Sequence, residues 1–184
     1  MPYDSGFAFV RDVSLLDAGF AIGAPYLPKP GEHPMFGGRG PEASRRARGI
    51  VIWATLRAYG RSGYRAMVER HLDLAQHLAR SIDAAPDFER VADVPLNIVA
   101  FRYRPRSVAE DRLDELNARI GAELLVDGRV YVGTTRYRGM TVFRPAIVNW
   151  RTTETDVDLI VDVVREIGER LGSRRETAPL ASEA

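Results

Sequence analysis

A chain of 184 residues, 45% apolar and 28% charged, has the length for one domain or one and a half, and enough apolar material for a sizeable core. Its 26 basic residues balance 25 acidic ones, so net charge gives no reason to expect nucleic acid or an anionic membrane as partner. With no cysteine, no run of roughly 18 apolar residues and no signal-peptide zones, disulfides, thiolate metal sites and a membrane span are set aside, and a cytoplasmic protein is expected.

The chain opens on a turn signal, "PYDSG", followed by the apolar run Phe7 to Val10, which predicts a short buried strand. Residues 23 to 42 are dense in glycine and proline and predict an extended loop. A helix is expected to start between about Pro41 and Ser44, with Ile52, Thr55, Leu56 and Tyr59 on one face and its end at Gly60. A second helix repeats Tyr64, Val68, His71, Leu74, Leu78 and Ile82 at helical spacing and stops before Pro86.

From Phe88 the period changes. "PLNIVAFRYRP" predicts a strand, and Ser107 with Glu110 reads as a capping box that opens a helix carrying Leu113, Leu116, Ile120 and Leu124. "RVYVGTT" and "MTVFRPAIVNW" predict two strands of a hairpin turning at "YRG". Thr152 or Thr153 caps a last helix with Val157, Ile160, Val161, Val164, Ile167 and Leu171 on its apolar stripe. The fold class is therefore α+β. Residues 1–60 form a segment that is not self-sufficient, residues 61–172 a connecting helix and a βαββα two-layer sandwich, and residues 173–184 a disordered polar tail.

Few residues carry chemistry. His33, His71 and His77 lack metal-ligand spacing, so no metal site is expected, and His71 reads as a satisfied histidine at the rim of the core. Of the basic residues only Lys29 is a lysine, which leaves almost no amine for covalent capture of a carbonyl. Arg144 sits on a strand face with Met140, Val142, Ala146 and Val148, where a guanidinium needs an anionic partner. That partner is either an acid of this chain or a bound carboxylate, which the planar fork matches bidentately. Tyr26 stands where the glycine- and proline-rich loop begins. It either anchors the loop by packing or delivers a proton into a closed site.

These stretches together are similar to a known family. "PYDSGFAFVRD", "PEASRRARGIVIWATLRAYGRSGYRAMVERHLDLA", "IVAFRYRP", "VYVGTT" and "FRPAIVNWRTTETDVDLIVDVVREIG" resemble the C-terminal part of the pyridoxal-phosphate-dependent group II amino-acid decarboxylases, of the aromatic-L-amino-acid and glutamate decarboxylase kind. The resemblance implies the end of a type I pyridoxal-phosphate large domain, with a lone strand, a lid loop over 23–42 and long helices, followed by the family's small C-terminal domain. It implies that Tyr26 is the lid residue that protonates the substrate carbon after carbon dioxide leaves, and that Arg144 holds the α-carboxylate of an L-amino acid. It also implies that the lysine holding the cofactor lies in a His-Lys-Trp motif upstream of "PYDSG", so that no cofactor-binding residue is expected in this chain. Lys29, between two prolines in the loop, is not expected to replace it.

On this reading the chain is a carboxy-lyase fragment, inactive alone, that works with a missing N-terminal half or within a homodimer. An internal start, a truncated gene and a split gene stay open. The alternatives are a non-enzymatic α+β binding or dimerisation module and a nonfunctional gene remnant.

Overall fold

The computed structural model describes residues 5–26, 36–42 and 44–176. The chain divides into two compact units, residues 1–64 and 65–184.

The first unit contains helix α1 (Ser14–Gly19), a 3-10 turn at Phe36–Gly38 and the beginning of helix α2 (Arg48–Ala84). The Asp12 carboxylate accepts the Ser14 backbone N–H at 2.9 Å just before α1. Residues 5–10 form no strand, contrary to the expectation for "FAFV". A strand exists only through its ladder, and no partner for this segment occurs among the described residues. Phe7 and Phe9 instead stack on each other with centroids 6.3 Å apart, both in solvent. The loop expected at 23–42 is described only in part, and Lys29 and His33 lie outside the described residues.

Helix α2 breaks at Gly60, whose φ of 62° and ψ of −176° only glycine adopts at low cost. The break falls where the sequence predicts one helix ending and another beginning. All the buried residues of α2 follow it: Leu74, Ala75, Leu78, Ala79 and Ile82. Their spacing keeps one stripe inward, and each buried leucine or isoleucine contributes about 2 kcal/mol.

The second unit is built on a four-stranded antiparallel sheet in the order β1-β2-β4-β3, with β1 at Phe88–Arg90, β2 at Phe101–Tyr103, β3 at Thr134–Tyr137 and β4 at Met140–Phe143. Helices α3 (Glu110–Asp127) and α4 (Glu154–Glu176) pack on each other and on the sheet. One core joins Leu78 and Ile82 of α2, Phe101 and Phe143 of the sheet, Ile120 of α3 and Ile167 of α4. The order of elements is thus ββαββα. The sequence pattern misses β1, a three-residue strand in which only Phe88 is buried and apolar. Strand β3 starts at Thr134 rather than at Arg129, although Val132 before it is buried. The hairpin turns through Arg138 and Gly139, both at positive φ (49° and 83°), the conformation of a type I′ turn.

The capping box at Ser107 and Glu110 is not formed. Ala109 occupies the N-cap without a side-chain bond, because Glu110 is engaged by Arg102 on β2 and Arg104 just after it. At α4 the expected cap is present. Thr153 Oγ accepts the Asp156 backbone N–H at 3.4 Å, and Asp156 accepts the Thr153 N–H at 2.8 Å. The helix continues to Glu176, four residues past the expected boundary, and the remainder of the tail lies outside the described residues.

Strand β2 meets β4 at a single register pair, Phe101 with Phe143. Beyond it the backbone of Tyr103 is paired by a side chain. The Tyr103 N–H donates to Asn117 Oδ1 at 2.8 Å, and Asn117 Nδ2 donates to the Tyr103 carbonyl at 2.9 Å and to the Leu113 carbonyl at 2.8 Å. Asn117 is fully buried. Asn117→Leu and Asn117→Ala should each cost about 3 kcal/mol in denaturant unfolding, because both strand the same two buried backbone groups whatever volume they restore. A midpoint equal to that of the wild type for Asn117→Leu would show that Tyr103 finds other partners.

Candidate functional site

Arg144 follows β4 directly, and its backbone N–H donates to the Gly133 carbonyl at 2.8 Å. The chain then stays extended against residues 97–99. Val99 N–H reaches the Pro145 carbonyl at 3.3 Å, Ile147 and Asn97 bond at 2.9 Å, and Ile98 bridges Ala146. Pro145 and Ile147 turn inward, whereas Arg144, Ala146 and Val148 face solvent. The expected face is therefore present from Arg144 onward. Val142, expected on the same face, is fully buried. The guanidinium of Arg144 has no hydrogen bond or ion pair among the described residues.

The segment after Arg144 is tied to α2. Arg70 donates to the carbonyls of Trp150 and Thr152, the latter at 2.8 Å, and His71 Nε2 lies 3.2 Å from the Asn149 carbonyl. His71 is thus the satisfied histidine that its helical position implies. His77 pairs with Asp158 at 2.7 Å. A hollow of about 550 Å³ is lined by Tyr131, Ala146, Val148, Asn149 and Arg151. Arg151 also lies over the Trp150 ring at 4.8 Å. Among the described residues no group of His, Cys, Asp and Glu could hold a metal, and no helix is long and apolar enough to cross a membrane.

Tyr26 belongs to the first unit, is 86% exposed at a turn, and is the last residue described before residue 36. Arg144 belongs to the second unit. Neither residue is packed into a core.

A buried arginine on the sheet escaped the sequence reading. Arg102, on β2, is only 5% exposed. Its Nε donates to Glu89 at 2.7 Å and its Nη2 reaches Glu89 at 2.6 Å and Glu110 at 2.5 Å. Arg104 closes the cluster on Glu110 at 3.2 Å. Bonds from Arg102 and Arg104 hold the Glu110 carboxyl below its ordinary range. The signal for this cluster was present in "FRYRP", where Arg102 stands between two aromatic residues of a strand. The argument applied to Arg144 holds for it equally, but here two acids of the chain answer the guanidinium.

A profile of the family described as "Pyridoxal-dependent decarboxylase conserved domain" matches residues 1–104. The chain is 28% identical over 176 residues to an aromatic-L-amino-acid decarboxylase of Bacillus atrophaeus, covering 92% of this chain and 36% of that protein. It is 32% identical over 104 residues to tyrosine decarboxylase 2 of Arabidopsis thaliana, covering 56% and 19%. Among solved structures, mouse CSAD superposes with a TM-score of 0.75 at 20% identity over 86% of this chain and 35% of that one. Catharanthus roseus tryptophan decarboxylase in complex with L-tryptophan does so with a TM-score of 0.66 at 24% identity over 73% and 28%. These likenesses establish the fold, and the chain spans about a third of the length of the first of these relatives.

Arg102 and Arg144 should respond differently to mutation. Arg144→Gln should leave stability within about 0.5 kcal/mol, because no described residue pairs with its charge. The double variant Glu89→Gln/Glu110→Gln strands the buried Arg102 and should unfold at clearly lower denaturant. Coincident midpoints would contradict this. Since folding lowers the Glu110 carboxyl, its contribution is complete above the ordinary glutamate range and is lost as pH falls through the lowered value. Glu110→Gln should accordingly flatten the acid limb of a stability-versus-pH curve measured by denaturant unfolding.

Proposed function

We propose that this chain, which belongs to the pyridoxal-dependent decarboxylase family, is the C-terminal portion of a carboxy-lyase that releases carbon dioxide from an L-amino acid. The observation that carries the reading is the exposed guanidinium of Arg144, just after β4, which has no hydrogen bond or ion pair among the described residues. Buried Arg102 on β2, by contrast, has its anions in Glu89 and Glu110.

Arg144 is the group that binds the substrate's α-carboxylate. The backbone bond to Gly133 and the pairing of 145–147 with 97–99 hold its Cα on a rigid stretch. Its fork can therefore take both carboxylate oxygens in a fixed direction. Tyr26, on the lid, returns a proton to the α-carbon once carbon dioxide has left.

Pyridoxal phosphate, when bound to the complete enzyme, supplies the sink for the electron pair that decarboxylation leaves. The residues described here do not fit a covalent hold on that cofactor. They include no lysine, and the single lysine of the sequence, Lys29, lies outside them. We therefore place the covalent hold in the upstream portion that the longer relatives carry, and the chain works with that portion, within a homodimer. The chain alone does not turn over.

The purified chain, mixed with pyridoxal phosphate, should show no cofactor absorbance that survives borohydride and should release no carbon dioxide from L-amino acids. Fused behind the upstream portion of a family member, it should become active. In that fusion Arg144→Gln should lower kcat/KM by about a hundredfold, mostly through substrate binding and orientation. Tyr26→Phe should lower kcat by at least about a hundredfold with little change in KM. Turnover by the isolated chain, or fusion variants as active as the parent, would overturn the assignment.

A further inference from the structure

Away from Arg144, the second unit holds a hollow of about 630 Å³ between α3 and α4. Tyr103 of β2 contributes to its lining and is only 3% exposed. The ring crosses α4 at Gly168, where a Cβ would stand 2.3 Å from Cε1, so only glycine admits it. One turn further, Gly172 also lines the hollow, and a Cβ there would meet nothing within 4 Å.

The Tyr103 hydroxyl has no hydrogen-bond partner among the described residues. The ring is buried but the hydroxyl opens into the hollow, where solvent or a bound molecule can meet it. Burial, with Asp87 and Glu169 nearby, pushes its pKa up to about 12, so it is a proton donor at neutral pH.

The walls carry both signs of charge. Arg112 and Arg119 stand two turns apart on α3 and both line the hollow, and neither guanidinium has an ion pair or hydrogen bond among the described residues. Glu169 lines the same hollow from α4, without a hydrogen bond or ion pair among the described residues, and Glu115 lies between the two arginines on α3. Arg112 and Arg119 do not close on Glu169. The remaining lining is apolar and includes Val108, Leu116 and Leu171.

A plain anion here would meet Glu169, and a plain amine would meet two guanidiniums. A molecule that carries both charges on one carbon satisfies both sides. We propose that this hollow binds a free α-amino acid with an apolar side chain. Its carboxylate lies at Arg112 and Arg119 with the Tyr103 hydroxyl as a further donor, its ammonium at Glu169, and its side chain against Leu116 and Leu171. The site needs no cofactor and does not use Arg144, so it stands or falls independently of the decarboxylase reading.

The test is a nuclear magnetic resonance titration of the isotope-labelled full chain, without pyridoxal phosphate, with L-phenylalanine through the millimolar range. Parallel titrations use 3-phenylpropionate, which lacks the ammonium, and 2-phenylethylamine, which lacks the carboxylate. Saturable shifts at the Gly168, Gly172 and Leu116 amides are expected, with each one-charge analogue about tenfold weaker. Arg112→Gln/Arg119→Gln should remove the response, and Tyr103→Phe should weaken it, while spectral dispersion in each variant reports an intact fold. The proposal is overturned by no saturable shift with L-phenylalanine, by shifts located elsewhere, by an analogue that binds as well, or by a response that survives in the double variant.

Discussion

The primary amide of Asn117 does the work of a missing stretch of strand. Two central strands of the sheet share only one register pair, so the end of β2 would be left with unpaired backbone groups under a helix. Asn117 offers an acceptor and a donor spaced like those of a peptide, and it does so from the interior of α3. Each of those buried backbone groups would cost about 1–3 kcal/mol without it. The helix is thereby locked to the sheet in one axial position, which apolar contacts alone, being non-directional, do not impose.

Two glycines make that position possible. A Cβ on Gly121 would stand 2.5 Å from the Thr134 methyl, and one on Gly168 would run into the Tyr103 ring. The small residues let α3 approach β3 and let α4 accept an aromatic ring from β2. With both helices seated, β4 and the extended residues after it are held in place between β2 and β3, and Arg144 is carried on that stretch. The position of the candidate carboxylate ligand is therefore set by an amide and two absent side chains, none of which touches it.

What the sequence disclosed follows the range of the interactions involved. The stripe of Leu74, Leu78 and Ile82, the break at Gly60, the turn at Arg138-Gly139 and the cap at Thr153 all depend on residues within a turn or two, and all are present. The failures are of another kind. Phe7 to Val10 has the composition of a strand, but composition supplies no ladder. Ser107 and Glu110 have the spacing of a cap. A cap is worth about 1 kcal/mol, however, and a buried guanidinium deprived of its anion costs several. Glu110 accordingly turns to Arg102. Strand β1 was hidden because Glu89 and Arg90 serve ion pairs with Arg102 and Asp83, not an apolar face.

The same contest explains why the candidate site was only half legible. A guanidinium on a strand states a demand for an anion without saying where the anion comes from, and Arg102 and Arg144 state it in nearly the same words. The difference is burial. At 5% exposure Arg102 must be answered during folding by acids of the chain, whereas Arg144 in solvent can wait for a ligand. The first unit poses the same question for apolar surface. Trp53, Ile50 and Phe9 stand in solvent, and Gly38 is its one buried position among the described residues. A unit with no core of its own cannot offset its chain entropy, so covering those side chains takes protein surface that the described residues do not supply.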